Sequence, residues 1–252
     1  MGIAIRNKKE IALLAKSSSI VAQTLGLIIQ NAKVGISLKE LDLIAEDYIL
    51  SQNAKPAFKG LYGFTNTTCL SLNNVIIHGI PNDYKLQNGD ILGIDLGVER
   101  EGWFGDGAVT IGIGTLNSKD ISLIDCAKDA LYEAIDYCKV GMHFKELSLF
   151  LEQSITKRGY VPLKDFCGHG IGRKPHEEPE IPNYLVGHNP LQGPKIKEGM
   201  VFCIEPMICQ KDGTPVVLDD GWSVVSKDGM NGSHYEHTIA MVDGKARILT
   251  NI

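Results

Sequence analysis

Apolar residues recur at helical spacing near the start of the chain. Behind Asn7-x-x-Glu10, a capping-box pattern led by Asn, residues Ile11, Leu14, Ala15, Val21, Ala22, Leu25 and Ile29 keep roughly one helical face. A second box, Ser37-x-x-Glu40, precedes Leu41, Ile44, Ala45, Tyr48 and Ile49 on one face. The arrangement returns later, with helices expected over about 118–138 and 144–158. After each helix pair the pattern changes to short apolar runs. These predict strands over 67–78, 90–98 and 103–113, and again over 200–209, 222–227 and 236–242. The stretch 175–197 is rich in Pro, Gly and Asn and reads as a long surface connection.

The two halves echo each other. Residues 34–49 and 140–155, offset by 106, carry the same residue at eight of sixteen positions. Residues 85–95 and 195–205, offset by 110, each run from a lysine through a glycine turn into an apolar run ending in an acid. Two echoes in the same order point to a duplicated helix–strand unit, divided at about residue 115. No linker separates the halves, so an α/β fold with one shared sheet and one core is expected over 1–252.

Composition narrows the class. A net charge of −5 argues against a generally basic nucleic-acid surface. The six cysteines form no Cys-x-x-Cys pair, which suits reduced thiols in a cytoplasmic compartment better than a zinc ribbon. No run reaches the ~18–20 apolar residues of a membrane span, because Lys16, Ser17, Ser18, Ser19 and Gln23 interrupt the first apolar stretch. Myristoylation is also unsupported, since Arg6 stands where that motif needs Ser or Thr.

The candidate chemistry lies in four carboxylates and a histidine. Asp95 ends the run Ile91-Leu92-Gly93-Ile94, and Asp106 follows on the next strand. If 99–102 form the loop between them, the two aspartates face each other across a hairpin, with Cβ atoms ~4.5–5.5 Å apart. Such a pair repels unless a cation lies between. Glu205 ends a similar run, and Glu236 opens a strand-like segment. His169 lies in Gly168-His169-Gly170-Ile171-Gly172, where the glycines let the backbone come close to something. A phosphate loop fails there for want of Gly-x-Gly-x-x-Gly or Gly-Lys-Ser/Thr. Each acid alone reads as a structural strand acid. Together with His169 they can hold two divalent ions ~3.5–4 Å apart, the arrangement of metal-assisted hydrolysis. Carboxylates with one imidazole suit Mn, Fe, Co or Zn better than copper. His78 and His176 could hydrogen-bond a peptide group beside them. His143, His188, His234 and His237 have weaker cases, and strand alternation turns His237 away from the face of Glu236.

The ordered motifs Asp95 with Asp106, Gly-His-Gly-Ile-Gly with His-Glu-Glu-Pro, Ile-Glu-Pro-Met and Tyr-Glu-His-Thr resemble those of type I methionine aminopeptidases of the short bacterial form, over almost the whole chain. The resemblance implies a pita-bread fold and removal of the initiator methionine when the second residue is small. It implies two divalent ions (Co, Mn, Fe, Zn or Ni) on Asp95, Asp106, His169, Glu205 and Glu236. Glu205 would also carry the proton of the attacking water, and His78 and His176 would bind and polarise the substrate. Phe58, Leu61, Phe64, Cys69 and Trp222 would line the methionine pocket, their apolar and soft surfaces suiting a thioether. The implied partners are N-termini of nascent chains, with transient ribosome association, for a cytoplasmic monomer that needs neither membrane nor specific nucleic acid. The chain's own Met1-Gly2 would then be a substrate sequence.

This sequence departs from the family pattern in places. Pro175 stands where an aromatic or other large residue is expected, and Leu61 and Phe64 where tyrosines are common. Gly107-Ala108-Val109 follows Asp106, where a small residue and then a basic one are more usual. The alternatives are a proline-directed peptidase of the same fold, which usually has a separate amino-terminal domain, and a related binding module without metals.

Overall fold

A computed structural model describes residues 2–251; Met1, and with it the Met1-Gly2 bond, lies outside them. Four α-helices are present among the described residues: α1 Lys8–Asn31, α2 Leu38–Ser51, α3 Ser118–Tyr137 and α4 Phe144–Thr156. The first half carries strands β1 Lys55–Pro56, β2 Cys69–Leu72, β3 Val75–Ile77, β4 Ile91–Arg100 and β5 Trp103–Gly112. The second carries β6 Val161–Pro162, β7 Cys167–Gly170, β8 Glu177–Pro182, β9 Val201–Ile204 and β10 Met207–Cys209. It continues with β11 Pro215–Val217, β12 Val224–Ser226, β13 Ser233–His234, β14 Glu236–Val242 and β15 Lys245–Ile248.

The helix starts follow their caps. Asn7 accepts from Lys9 N–H and Glu10 N–H while Glu10 accepts from Asn7 N–H, and Ser37 and Glu40 do the same for α2. Helix α1 is long and apolar enough to cross a membrane on composition alone. Here Leu14, Val21, Leu25 and Ile28 are fully buried within the fold. Each such side chain contributes roughly 1.5–3 kcal/mol. Gly105 admits the helix: a Cβ there would lie 2.6 Å from Ser18 N.

The strand expectations need three corrections. The run 67–78 breaks at Asn73, whose φ of 54° makes a tight turn between β2 and β3. The run 200–209 breaks at Glu205-Pro206, since proline has no N–H for the ladder. The supposed surface connection 175–197 contains β8, which pairs with β7.

Nine strands form one sheet in the order β1-β4-β5-β14-β9-β7-β8, with β2 on β4 and β15 on β14. The halves join where Glu236 pairs with Ala108 and His237 with Gly107. Alternation sorts the two faces. Leu92, Ile94, Leu96 and Val98 pack in the core of α1 and α2, and Phe202, Ile204, Ile239 and Met241 in that of α3 and α4. The residues between them, Asp95, Cys203 and Thr238 among others, point to the opposite face.

The echoed segments meet the same partners in each half. Gly35 and Gly141 have φ of 95° and 99°. Gly35 N–H donates to Leu86 O and Gly141 N–H to Ile196 O, at 2.8 and 2.9 Å. Ser37 bridges Lys85, and His143 bridges Lys195.

Candidate active site

All twelve residues singled out from the sequence line one cavity of about 820 Å³, within the ~300–1,000 Å³ usual for ligand sites. Its floor is the polar face of the sheet. The hairpin register differs from expectation. Glu101-Gly102 alone make the turn, so Arg100 pairs with Trp103, Asp95 with Ala108 and Asp106 with Gly97. Asp95 and Asp106 are therefore diagonal neighbours on one face. Ala108 lies between Asp95 and Glu236 in adjacent strands, which gives its small side chain a place in the floor. Thr238 ties the strands together, accepting from Asp106 N–H at 3.0 Å and donating to Asp106 O at 2.7 Å.

The glycines around His169 serve close approach. A Cβ on Gly168 would lie 2.4 Å from Cys203 O, and one on Gly170 would lie 2.1 Å from Glu178 O. So β7 presses against both neighbouring strands, and the His169 ring reaches Glu205, with Nε2 3.5 Å from Oε1. His169 Nδ1 lies 3.0 Å from Gly170 O, which orients the ring.

Electrostatically the site is built for a cation. Asp95, Asp106, Glu205 and Glu236 converge with no Lys or Arg paired to them among the described residues. Burial raises Asp95, with the Asp106 charge adding to it, and lifts Asp106 to about 7. Burial and then the neighbouring aspartates raise Glu205, and burial with Asp106, Glu205 and Asp95 raises Glu236. Asp95 Oδ1, Glu236 Oε1 and His234 Nε2 are buried without hydrogen-bond partners. Burial and the charge of His176 push His169 down to about 3, leaving a neutral imidazole. Ligand atoms of Asp95, Asp106 and Glu236 lie within 4.8 Å of one another, as do those of Glu205, His234 and Glu236. Unpartnered buried oxygens beside neutral imidazoles are the donor set that divalent ions take, so these residues fit a metal centre.

His234, given a weaker case by sequence alone, belongs to the cluster. Its Nε2 lies 3.5 Å from Glu205 Oε2, and burial with the His78 charge lowers it to about 3. Its position two residues before Glu236 is the signal, because alternate strand residues share a face. Tyr62, Phe166 and Met207 also line the cavity. His237 points away as expected, with ring nitrogens 3.0 Å from both Thr250 Oγ1 and Tyr132 Oη. His188 does not line the cavity, and His143 caps α4.

The walls divide by chemistry. Phe64 meets Trp222 edge to face at 5.0 Å, and Phe58 packs over Gly97, where a Cβ would lie 2.8 Å from its ring. Cys69 pairs with Asp95 across β2 and β4. His78 holds a φ of 60°, a conformation that costs a non-glycine ~1–3 kcal/mol. Its ring meets Phe166 at 5.6 Å, and burial then His176 lowers its pKa to about 4. His176 packs against His169 at 4.5 Å and stacks on Tyr62 at 6.1 Å. Pro175 does not line the cavity; Tyr62 supplies an aromatic ring at that rim.

Residues 12–243 match metallopeptidase family M24. A methionine aminopeptidase from Helicobacter pylori is 61% identical over 251 residues, covering 99% of each chain. The crystal structure of a methionine aminopeptidase from Thermotoga maritima superposes with a TM-score of 0.96 at 33% identity, covering all of both chains. Prolidase from Pyrococcus furiosus gives a TM-score of 0.80 at 26% identity, but this chain covers 65% of its length. The pita-bread fold expected from the motifs is thus the fold found, and the chain belongs to metallopeptidase family M24, among its type I methionine aminopeptidases.

Proposed function

We infer that the protein is a metal-dependent aminopeptidase that removes the initiator methionine from nascent chains when the second residue is small. The observation that carries this is a buried cluster of carboxylates with no Lys or Arg partner among the described residues, set with neutral imidazoles at the floor of an apolar-walled cavity, where Asp95 Oδ1 and Glu236 Oε1 have no hydrogen bond. Asp95, Asp106, His169, Glu205 and Glu236 are proposed to hold two divalent ions, with Co, Mn, Fe, Zn and Ni as candidates. When bound, such ions supply Lewis-acid activation of a water and of the scissile carbonyl.

The remaining work falls to the chain's own groups. Phe58, Leu61, Phe64, Cys69 and Trp222 enclose the methionine side chain, favouring an apolar thioether over charged residues. Glu205 takes the proton from the attacking water and passes it to the leaving amine. Its carboxylate lies at the centre of the cluster, 3.5 Å from both His169 Nε2 and His234 Nε2. His78 and His176, both neutral, donate or accept hydrogen bonds at the scissile peptide. We also propose that the two echoed halves derive from a duplication and act as one catalytic unit. A cytoplasmic monomer with transient ribosome contact is the setting that this substrate implies.

The test is hydrolysis of Met-Ala-Ser by metal-free protein titrated with Mn, Fe, Co, Zn or Ni. Methionine release only after metal addition, and not from Met-Lys-Ser, is expected. Cleavage of Xaa-Pro peptides instead would move the assignment to a prolidase-like activity. No release with any metal from folded protein would leave a binding module.

A further inference from the structure

We propose that Arg6 and Glu177 are positioning residues that hold His176 against the substrate, an inference that rests on the role given to His176 above. Glu177 directly follows His176, and its two carboxylate oxygens serve different parts of the fold. Oε1 accepts from Arg173 N–H at 2.7 Å and Lys174 N–H at 3.1 Å, closing the turn that carries His176. Oε2 pairs with the Arg6 guanidinium, which reaches it from the segment before α1.

Arg6 is itself fixed from several sides. Its N–H donates to Gly199 O at 2.7 Å. Its guanidinium lies flush against Gly172, where a Cβ would fall 2.1 Å from Nη2. The last glycine of Gly-His-Gly-Ile-Gly therefore makes room for Arg6 rather than for a ligand. The guanidinium carbons of Arg6 and Arg173 lie 5.4 and 3.9 Å from the ring of Trp103, a buried residue that opens the strand of Asp106. Of these two cations, Arg6 has Glu177 as its anionic partner, while the Arg173 guanidinium donates to Gly102 O at 3.3 Å. The Arg6 and Glu177 side chains are only 12% and 17% exposed. The pair is thus shielded from the screening that makes open surface pairs weak.

The geometry matters because little else orients the His176 ring. Among the described residues no protein hydrogen bond holds it; its ring contacts are the His169 edge and the Tyr62 stack, and its ligand nitrogen lies within 4.8 Å of ligand atoms of Asp106 and His169. Its direction is inherited from the 173–177 turn, and that turn is pinned by Glu177. A small misplacement of such a group costs turnover steeply, about a hundredfold for 1 Å.

A double-mutant cycle on the metal-loaded enzyme separates positioning from plain stability. Arg6→Ala and Glu177→Gln are each expected to lower kcat on Met-Ala-Ser about tenfold or more. KM and Mn(II) binding by calorimetry should stay near wild type, while the thermal midpoint should fall, since each change leaves a largely buried charge without its partner. Glu177→Gln keeps the acceptor for the turn and remains informative if Arg6→Ala fails to fold. Arg6→Lys, which retains a cation facing Glu177, should recover most of the turnover. In a His176→Ala background, Arg6→Ala should cost almost nothing further. An equal loss in both backgrounds, wild-type kcat in both single variants, or loss that tracks lost Mn(II) binding overturns the proposal. Wild-type turnover by His176→Ala would remove the role of His176 itself and the positioning role with it. Loss in His176→Ala followed by an additive loss from Arg6→Ala would overturn positioning alone.

Discussion

Asp95 and Asp106 do not face each other across their hairpin: Asp95 lies opposite Ala108, and Asp106 opposite Gly97. The two-residue turn at Glu101-Gly102 produces this offset. Because it is a shift of two residues rather than one, both carboxylates stay on the cavity face. Glu236 comes to the far side of Ala108 from Asp95, and the acids surround a common space instead of abutting as one pair.

That crowding has a cost in the absence of a cation. At about pH 8, above its raised pKa, Asp106→Asn should raise the thermal stability of metal-free protein, by about 1–3 kcal/mol, because it removes a buried charge among other carboxylates. The same variant should lose the stabilisation that Mn(II) gives the wild type. Thermal melts with and without the ion check both signs. A destabilised metal-free variant would show that the carboxylates are already neutralised within the protein.

Metal affinity should fall between about pH 8 and pH 5, and the carboxylates should be the cause. Their folded pKa values lie above the ordinary range, so each must lose a proton to ligate. His169, pushed down to about 3, is already neutral throughout that window. The stability linkage has the matching sign. Raised carboxyl groups contribute stability below their unfolded values of about 4 and lose it as pH rises through the folded values. Divalent ions should therefore raise the thermal midpoint more at about pH 8 than at about pH 5. A dependence centred near pH 6.5 that vanishes in His169→Asn would point to the imidazole instead.

Glu205→Gln should cut turnover by roughly 10²–10⁴ while leaving the protein folded, since it removes a proposed proton carrier. Met-Ala-Ser hydrolysis alongside circular dichroism measures this. Turnover near that of wild type would sink the assignment of Glu205.

His234→Ala should lower turnover about tenfold or more without unfolding the protein. The wild-type ring aims an unpartnered nitrogen at Glu205 from a buried position, and loss of a group beside a proton carrier is felt in the chemical step. Unchanged kcat would leave His234 a packing residue.

Gly170→Ala should disrupt the cavity from beneath. A methyl group 2.1 Å from Glu178 O must push β7 and β8 apart, at a cost of roughly 1–3 kcal/mol or more. Weaker Mn(II) binding should accompany the lower melting temperature, because His169 sits on the displaced strand β7. Wild-type melting would mean that the strands have slack there.

Local pattern carried much of this protein. Asn7, Ser37 and their glutamate partners start helices where the capping boxes say they should, because a cap is settled within four residues. Some motif residues are legible for a similar reason: Asp95 and Glu205 each end an apolar run, where a charged side chain needs a partner, and the glycines around His169 mark a close approach. What lay beyond local reach depends on which backbones meet. The turn at Glu101-Gly102 sets the aspartate register, Pro206 breaks a strand that hydropathy reads as continuous, and β8 forms in a loop-like sequence because β7 is there to pair with it. His234 joins the site, and Gly172 makes room for Arg6, only once strands and arm distant in sequence are brought together. The sequence by itself determined the helices, most of the strand segments and the kinds of donor, since these follow from short-range periodicity and chemistry. Tertiary structure decided register, ring direction and burial, and with them the raised carboxyl and lowered imidazole pKa values, because these depend on contacts that no short window of sequence contains.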